Sequence, residues 1–196
     1  MKQITTEVFW CSVQKANELF PFVLPQLRRE RIQQAQNPKV RDERQAVWRL
    51  ACFALSKAFG KLKEESFVFD DFKIKYNDVF VCLSHSNGAV AVAVSSNDVG
   101  VDIQIVPQKA SARVANRALN DEEKQAFALS RDKELFLTER WAAKESAFKK
   151  SGKSIFCPSK TDTAGVVTKT VTIQNKKYCL ALCAEDAAAA IFNALH

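Results

Sequence analysis

One short segment combines aromatic and charged residues at helical spacing. It covers residues 139–153 and reads ERWAAKESAFKKSGK. Positions i, i+3, i+4 and i+7 share one face of an α-helix, and here they are Trp141, Lys144, Glu145 and Phe148. Glu145 is also followed, one turn later, by Lys149. Because a buried charge is costly without a partner, this acid and these bases either extend their charged ends into water or act on a bound ligand.

A second candidate group lies on a predicted strand with the sequence VGVDIQIV. Side chains alternate along a strand, so Val101, Ile103 and Ile105 point one way. Asp102 and Gln104 point the other way, which places a carboxylate and an amide on one face. The pattern is typical of a strand with one wet face, and equally of a strand that presents oxygen ligands to a metal ion.

A histidine lies at a predicted hairpin. Two apolar runs, 79–83 and 89–94, are joined by SHSNG, and Asn-Gly between such runs is a strong hairpin signal. His85 therefore stands at the end of a strand. A lone histidine is more often structural than functional, but Ser84 and His85 are placed here where they could hydrogen-bond an anion.

A basic cluster lies at the start of a long predicted helix. Asn37-Pro38 separates this helix, residues 39–59, from an earlier one, since the residue before proline leaves the helical region; Gly60 ends it. The cluster is either a solvated helix face or an anion clamp, and it comprises Lys39, Arg41 and Arg44.

The remaining elements complete an α+β chain. We expect strands at 4–12, 66–72 and 73–76, two helices within 111–150, one starting at Asn120, a hairpin turning at 175–177, and a short closing helix within 186–196. The order of strand, helices and strands runs twice, with the join near residues 98–99. This order predicts a pseudo-twofold arrangement of two similar halves, 1–98 and 99–196, with a ligand in the cleft between them.

The composition narrows the class of protein. The chain has 196 residues, a formal charge of +7 and a pI of about 9.1, which suits nucleic acid, a membrane surface, or an anionic ligand with an acidic protein partner. No apolar run approaches the length of a membrane span, and the first residues lack a signal-peptide pattern, so we expect a cytoplasmic protein. Six scattered cysteines without a CxxC pair indicate reduced thiols and no zinc site.

Three motifs in this order, LSHS, VGVDIQ and RWAAKESAFKKSGK, resemble the signature of the 4′-phosphopantetheinyl transferases of the Sfp type. The resemblance spans residues 20–158 and implies the transferase fold. It also implies a Mg²⁺-dependent enzyme, with Mn²⁺ as an alternative. Such an enzyme moves the 4′-phosphopantetheine arm of coenzyme A to a serine of an apo acyl or peptidyl carrier protein and releases adenosine 3′,5′-bisphosphate.

The resemblance assigns roles to the residues described above. Asp102, Glu145 and Lys149 become the catalytic group, because splitting a pyrophosphate builds up negative charge that a cation and a lysine neutralise. The expected metal ligands are Asp102, Glu145 and Gln104. The expected coenzyme A contacts are Arg44, Lys39, Arg41, Ser84, His85, Lys144 and Lys149.

Two positions depart from the family pattern. Many members carry a second acid two residues after the strand aspartate, where this chain has Gln104, which binds a metal ion without adding charge. The Gly-Lys-Pro that often precedes the hairpin is replaced by DDFKIKYND. The identity of the general base, Glu145 or a metal-bound water, stays open.

The expected partners are coenzyme A and an acidic carrier protein, with the transferase acting as a monomer and binding neither nucleic acid nor membrane. Two alternatives remain. A coenzyme A-binding homologue without turnover is conceivable because of Gln104, although the other motif residues are all present. A nucleic-acid-binding module would use the basic charge and would not need Asp102.

Overall fold

In the computed structural model, residues 4–19, 23–70 and 73–196 are described, and they form two β-sheets flanked by helices. This confirms the α+β class. The helices are α1 Val13–Asn17, α2 Gln26–Gln33, α3 Pro38–Phe59, α4 Ala112–Ala118, α5 Asp121–Leu129 and α6 Lys133–Ser151. The strands are β1 Glu7–Ser12, β2 Phe67–Asp70, β3 Lys73–Tyr76, β4 Val79–Ser86, β5 Ala89–Ser95, β6 Gly100–Ile105, β7 Val166–Ile173, β8 Lys176–Cys183 and β9 Ile191–Ala194.

The first sheet is built on the predicted hairpin. Its strand order is β2-β3-β4-β5-β1-β9, and Ser86 pairs with Ala89 across a two-residue turn. Both turn residues have positive φ, 48° at Asn87 and 97° at Gly88, as a tight hairpin turn of this kind requires. The Asn-Gly signal is therefore confirmed.

Strand β5 is buried on both faces, and its alternating sequence shows why. Its valines pack in one core with α3, and its alanines pack in a second core against the other sheet. Small alanines allow that second sheet to approach closely. The valines are Val90, Val92 and Val94, and the alanines are Ala89, Ala91 and Ala93.

Helix α3 begins and ends where the sequence indicates. The Asn37 side chain accepts a hydrogen bond from the backbone N–H of Lys39, and Pro38 is the first helical residue. Gly60 ends the helix with a φ of 69°. Within the described ranges, no helix combines the length and the apolar character needed to cross a membrane.

The second sheet has the order β6-β8-β7 and lies between the first sheet and α6. Val101 and Ile103 of β6 pack toward the first sheet, while Asp102 lies on the opposite, helix-facing side. The predicted alternation of β6 is therefore confirmed. The layers run α3, first sheet, second sheet, α6.

The two sheets are joined through side chains along β4 and β6. Three backbone N–H groups of β6 donate to sulfur or hydroxyl acceptors at every second residue of β4, each over 3.2 Å. We call this set the β4–β6 ladder: Val101 to Cys82, Ile103 to Ser84 and Ile105 to Ser86. The ladder fixes which residue of the first sheet faces which residue of the second.

The prediction of a short closing helix is wrong. Residues 187–189 form a single 3₁₀ turn, and β9 then pairs in parallel with β1, from Ile191 opposite Glu7 to Ala194 opposite Trp10. The alanine-rich sequence favours a helix locally, but pairing satisfies the backbone groups at the edge of β1. The C-terminal strand thus joins the first sheet, and the pseudo-twofold symmetry stays a prediction.

Other boundaries shift slightly. A third helix, α4, precedes the two expected within 111–150. The last hairpin turns one residue early, at Gln174 and Asn175, which both have positive φ. The strand expected over 66–72 ends at Asp70, and residues 71–72 lie outside the described ranges.

Helix α6 lies directly on β6, and Gly100 permits the contact. A Cβ atom at this position would lie 1.9 Å from the carbonyl oxygen of Ser146 and 2.7 Å from the backbone nitrogen of Lys150. Both neighbours are helix backbone and have little freedom to move. The absence of a side chain at Gly100 therefore sets the distance between strand and helix.

We predict that Gly100→Ala lowers the free energy of unfolding by about 2–4 kcal/mol, because the methyl group forces α6 off β6. Denaturant titration measures the loss. Gly60→Ala is the control: its φ is positive, but nothing lies within 4 Å of the added Cβ, so its cost should be nearer 1 kcal/mol. Equal losses in the two variants would contradict the close approach.

Candidate active site

Asp102 and Lys149 form a partly buried ion pair where β6 meets α6. Lys149 Nζ lies 2.7 Å from Asp102 Oδ1, and the Ser84 hydroxyl donates to the same oxygen over 2.7 Å. The ammonium also donates to Ser84 Oγ and to the carbonyl of Val101, each over 3.2 Å. Asp102 is 2% exposed, so its charge depends on these partners.

Glu145 lies one helical turn before Lys149, with 3.8 Å between its Oε2 and Lys149 Nζ. Burial, together with the negative charge of Asp102, raises the pKa of Glu145 to about 7 despite the opposing effect of Lys149. Burial alone would lower the pKa of Lys149, but the neighbouring carboxylates, Asp102 first, outweigh it and raise that pKa. The group can therefore hold or release a proton near neutral pH.

The oxygens of this group fit a hard divalent cation. Asp102 Oδ2 is buried without a hydrogen-bond partner, and Gln104 follows on the same strand face and lines a groove together with Glu145. Mg²⁺ typically takes one or two carboxylates, with waters and substrate phosphates as its other ligands. Within the described part of the chain, no cluster of three or more His, Cys, Asp or Glu residues could hold a metal ion by itself. Bound phosphate would have to complete the coordination.

A basic cavity of about 410 Å³ is lined by residues of α2, α3, β3 and β4. Arg44 and His85 line it, as expected for an anion site. Two further arginines on α2, Arg28 and Arg31, also line it, and the sequence analysis missed them. The signal in the sequence is the run LRRERIQ, which lies one helix before the basic cluster of α3.

Lys39 and Arg41 are not among the residues that line the basic cavity. The Lys39 ammonium donates to the side-chain oxygen of Asn87 in the hairpin turn, and the Arg41 guanidinium donates to the carbonyl of Ala35. Both side chains are exposed near the turn or the helix start. Of the three basic residues at the start of α3, the structure brings Arg44 to the cavity.

Lys144 lies apart from the other predicted coenzyme A contacts. Its side chain is 1% exposed, and its ammonium donates to the carbonyl of Ala118 over 2.8 Å and to the carboxylate of Glu123. In this position the ammonium has no surface to offer a ligand. It ties α6 to the corner between α4 and α5, because a buried charge stays where its partners are.

Two hollows share lining residues, and a third borders Glu145. The basic cavity shares Ile74 and Leu83 with a cleft of about 140 Å³, which Lys149 also lines. Glu145, which lies 3.8 Å from Lys149, lines a separate groove of about 520 Å³ whose wall includes Trp141. An extended ligand with an anionic end could lie in the basic cavity and reach the acidic group along this path.

The raised pKa of Glu145 makes stability depend on pH. Between the ordinary value of 4.5 and about 7, the folded protein keeps a proton that the unfolded chain has lost. The protonated form of Glu145 therefore contributes its full stability to the fold below pH 4.5, and this contribution is lost as the pH rises toward 7.

We predict that Glu145→Gln, which cannot ionise, becomes more stable than the parent protein by about 1 kcal/mol or more as the pH is raised from 5 to 8. Denaturant titration without divalent metal measures the difference. Glu122→Gln, at an exposed position on α5, should show no such trend. Parallel curves for the parent and Glu145→Gln would refute the raised pKa.

Two comparisons with known proteins bear on this site. Residues 98–192 match the family model described as the 4′-phosphopantetheinyl transferase superfamily. The matched region holds Asp102, Gln104, Glu145 and Lys149, but not Arg44 or His85. A search of curated proteins found no match. The resemblance is confirmed at the level of the superfamily, and the Sfp type stays a prediction.

Proposed function

We propose, from the match of residues 98–192 to the 4′-phosphopantetheinyl transferase superfamily, that the chain transfers 4′-phosphopantetheine from coenzyme A to a serine of an apo acyl or peptidyl carrier protein. The single observation that carries the proposal is the position of Lys149. Its ammonium lies between two carboxylates and lines a cleft that adjoins the arginine-lined cavity. The pyrophosphate that joins adenosine to pantetheine is negatively charged, and in this proposal Lys149 and the arginines of the cavity offset the negative charges of coenzyme A.

Binding follows from charge and shape. The 3′-phosphate of coenzyme A would lie among Arg28, Arg31, Arg44 and His85, where planar guanidinium groups suit phosphate oxygens. The pyrophosphate would lie at Lys149. The pantetheine arm would continue past Glu145 into the groove beside Trp141, toward the place where a carrier serine enters.

The transfer is a displacement at phosphorus. The carrier serine oxygen attacks the phosphorus that carries pantetheine, and the bond to the bridging oxygen breaks, which leaves adenosine 3′,5′-bisphosphate with the electron pair. Glu145 is the proposed acceptor of the serine proton, because it is the carboxylate of this group that borders the groove through which the serine enters. Lys149 offsets the charge that builds up on the leaving phosphate.

Asp102 and Glu145, with Gln104 beside them, would hold Mg²⁺ or Mn²⁺, which neutralises pyrophosphate charge when bound. Ser84 has a positioning role in this arrangement. Its hydroxyl donates to Asp102 Oδ1 and accepts from Lys149, so it aligns the pair and leaves the second carboxylate oxygen without a hydrogen-bond partner.

We predict that Asp102→Asn and Glu145→Gln each reduce turnover by about 100-fold or more, because each removes a charge used at the reacting phosphate. The assay incubates the protein with coenzyme A, Mg²⁺ and an apo carrier protein and measures the added phosphopantetheine by mass spectrometry. Asp121→Asn removes a carboxylate that is 95% exposed and should leave turnover unchanged. Binding of coenzyme A by the parent protein with no change in carrier mass would indicate a non-catalytic homologue.

The carrier is proposed to be acidic, because the chain has a net charge of +7. Lys150 and Lys153 lie at and just beyond the end of α6 and are proposed docking residues. Electrostatic steering acts mainly on the association rate and weakens as salt rises. Coenzyme A phosphates enclosed by the basic cavity should respond less to salt.

We predict that Lys150→Glu with Lys153→Glu lowers kcat/KM for the carrier by about tenfold at low salt while leaving KM for coenzyme A within about twofold. The matched control is Lys61→Glu with Lys176→Glu, which makes the same charge change at two exposed positions. An equal loss in both double variants would show that net charge matters and that Lys150 and Lys153 do not mark the docking face.

A further inference from the structure

A buried glutamate lies behind the basic cavity. Glu43 is on α3, 6% exposed, and it is not among the residues that line the cavity. Its Oε2 lies 3.1 Å from Nδ1 of His85, and its Oε1 accepts the backbone N–H of Gly88 over 2.9 Å. Along the described parts of the chain, Glu43 and Asp102 are the two buried acids. Only Asp102 belongs to the catalytic group, so Glu43 needs another explanation.

A purely structural role explains one of the two contacts. Glu43 Oε1 holds the Asn87-Gly88 turn against α3, and the hydroxyl of Tyr178 holds the same turn from the second sheet by donating to the carbonyl of Asn87 over 3.0 Å. The turn would therefore keep a second attachment without Glu43. The contact with the imidazole is left unexplained by turn geometry alone.

The contact on Nδ1 determines what His85 can offer on its other nitrogen. His85 is 34% exposed and lines the cavity beside Arg28 and Arg44. A neutral imidazole that donates from Nδ1 has only a lone pair at Nε2, which repels an anion. The imidazolium donates from both nitrogens, to Glu43 on one side and to an anion on the other. A carboxylate behind the ring therefore suits a phosphate in front of it.

We propose that Glu43 is a positioning residue that orients His85 and supports its imidazolium form, so that Nε2–H is presented to a terminal phosphate monoester, the 3′-phosphate of coenzyme A. The inference rests on the proposed function. It adds that selectivity for coenzyme A over its 3′-dephospho form depends on an acid that does not contact the ligand.

The sign of the expected effect separates this role from simple electrostatics. Removing a negative charge near an anion site should strengthen anion binding if only Coulomb attraction matters. Acting through His85, the same change should weaken binding, because the imidazole loses the partner that favours its charged, correctly oriented form. Asp42, the exposed neighbour on α3, provides the matched test of the Coulomb effect.

The experiment is calorimetric titration of the full chain with coenzyme A and with 3′-dephospho-coenzyme A. We expect Glu43→Gln to raise Kd for coenzyme A by about five- to tenfold, the size of one charge-assisted hydrogen bond partly lost, and to leave Kd for the dephospho form within about twofold. Asp42→Asn should leave both constants unchanged or tighten coenzyme A. In a His85→Ala background, Glu43→Gln should add no further loss.

Equal weakening for both ligands would overturn the proposal, because it would show a general structural role for Glu43. Unchanged or tighter binding of coenzyme A by Glu43→Gln would also overturn it, while leaving the transferase proposal intact. A parent protein that binds neither ligand would refute the proposed function and, with it, this inference.

A measurement on the parent protein covers the case in which Glu43→Gln does not fold. The chain has two histidines, His85 and His196, so ¹⁵N resonances of the imidazole rings are readily assigned. Coenzyme A should bring His85 to the doubly protonated state, and 3′-dephospho-coenzyme A should not. The same His85 spectrum with both ligands would overturn the proposal.

Discussion

The β4–β6 ladder is the constraint on which the rest of the structure depends. Its three hydrogen bonds connect alternate residues of the two strands, so a shift by one residue would break all of them and turn each side chain to the other face. In the observed register Ser84 lies at Asp102, and its hydroxyl both accepts from Ile103 and donates to the carboxylate. The Ser84 side chain thus both contributes to the register and aligns the acid.

The same register places two negatively charged carboxylates close together. Asp102, Glu145 and Lys149 are brought together because Gly100 lets α6 rest on β6, and two carboxylates then share one ammonium. The pKa of Glu145, raised to about 7 chiefly by burial, shows that the second negative charge is poorly compensated. A cation bound between the two carboxylates would offset their mutual repulsion. The proposed binding of metal and phosphate at this group would supply such a cation.

The hairpin turn between β4 and β5 helps to place His85 at the basic cavity. Asn87 and Gly88 are held from α3 by Lys39 and Glu43, and from the second sheet by Tyr178. Since only Ser86 separates His85 from the turn, both α3 and the second sheet contribute to the placement of the imidazole. The position of His85 at the basic cavity is therefore fixed by a small number of hydrogen bonds to the turn that follows it.

The sequence by itself determined whatever depends on neighbours along the chain. Asn37-Pro38 and Gly60 predict the ends of α3, Asn87-Gly88 predicts the hairpin, and the alternation around Asp102 predicts its face, because turn geometry and side-chain period act within a few residues. The tertiary structure decided what depends on distant partners. It brought Arg28 and Arg31 to Arg44, turned Lys144 toward Glu123, and made residues 191–194 a strand. Local propensity carries no information about these contacts, since a buried charge and an open sheet edge are each satisfied by groups remote in sequence.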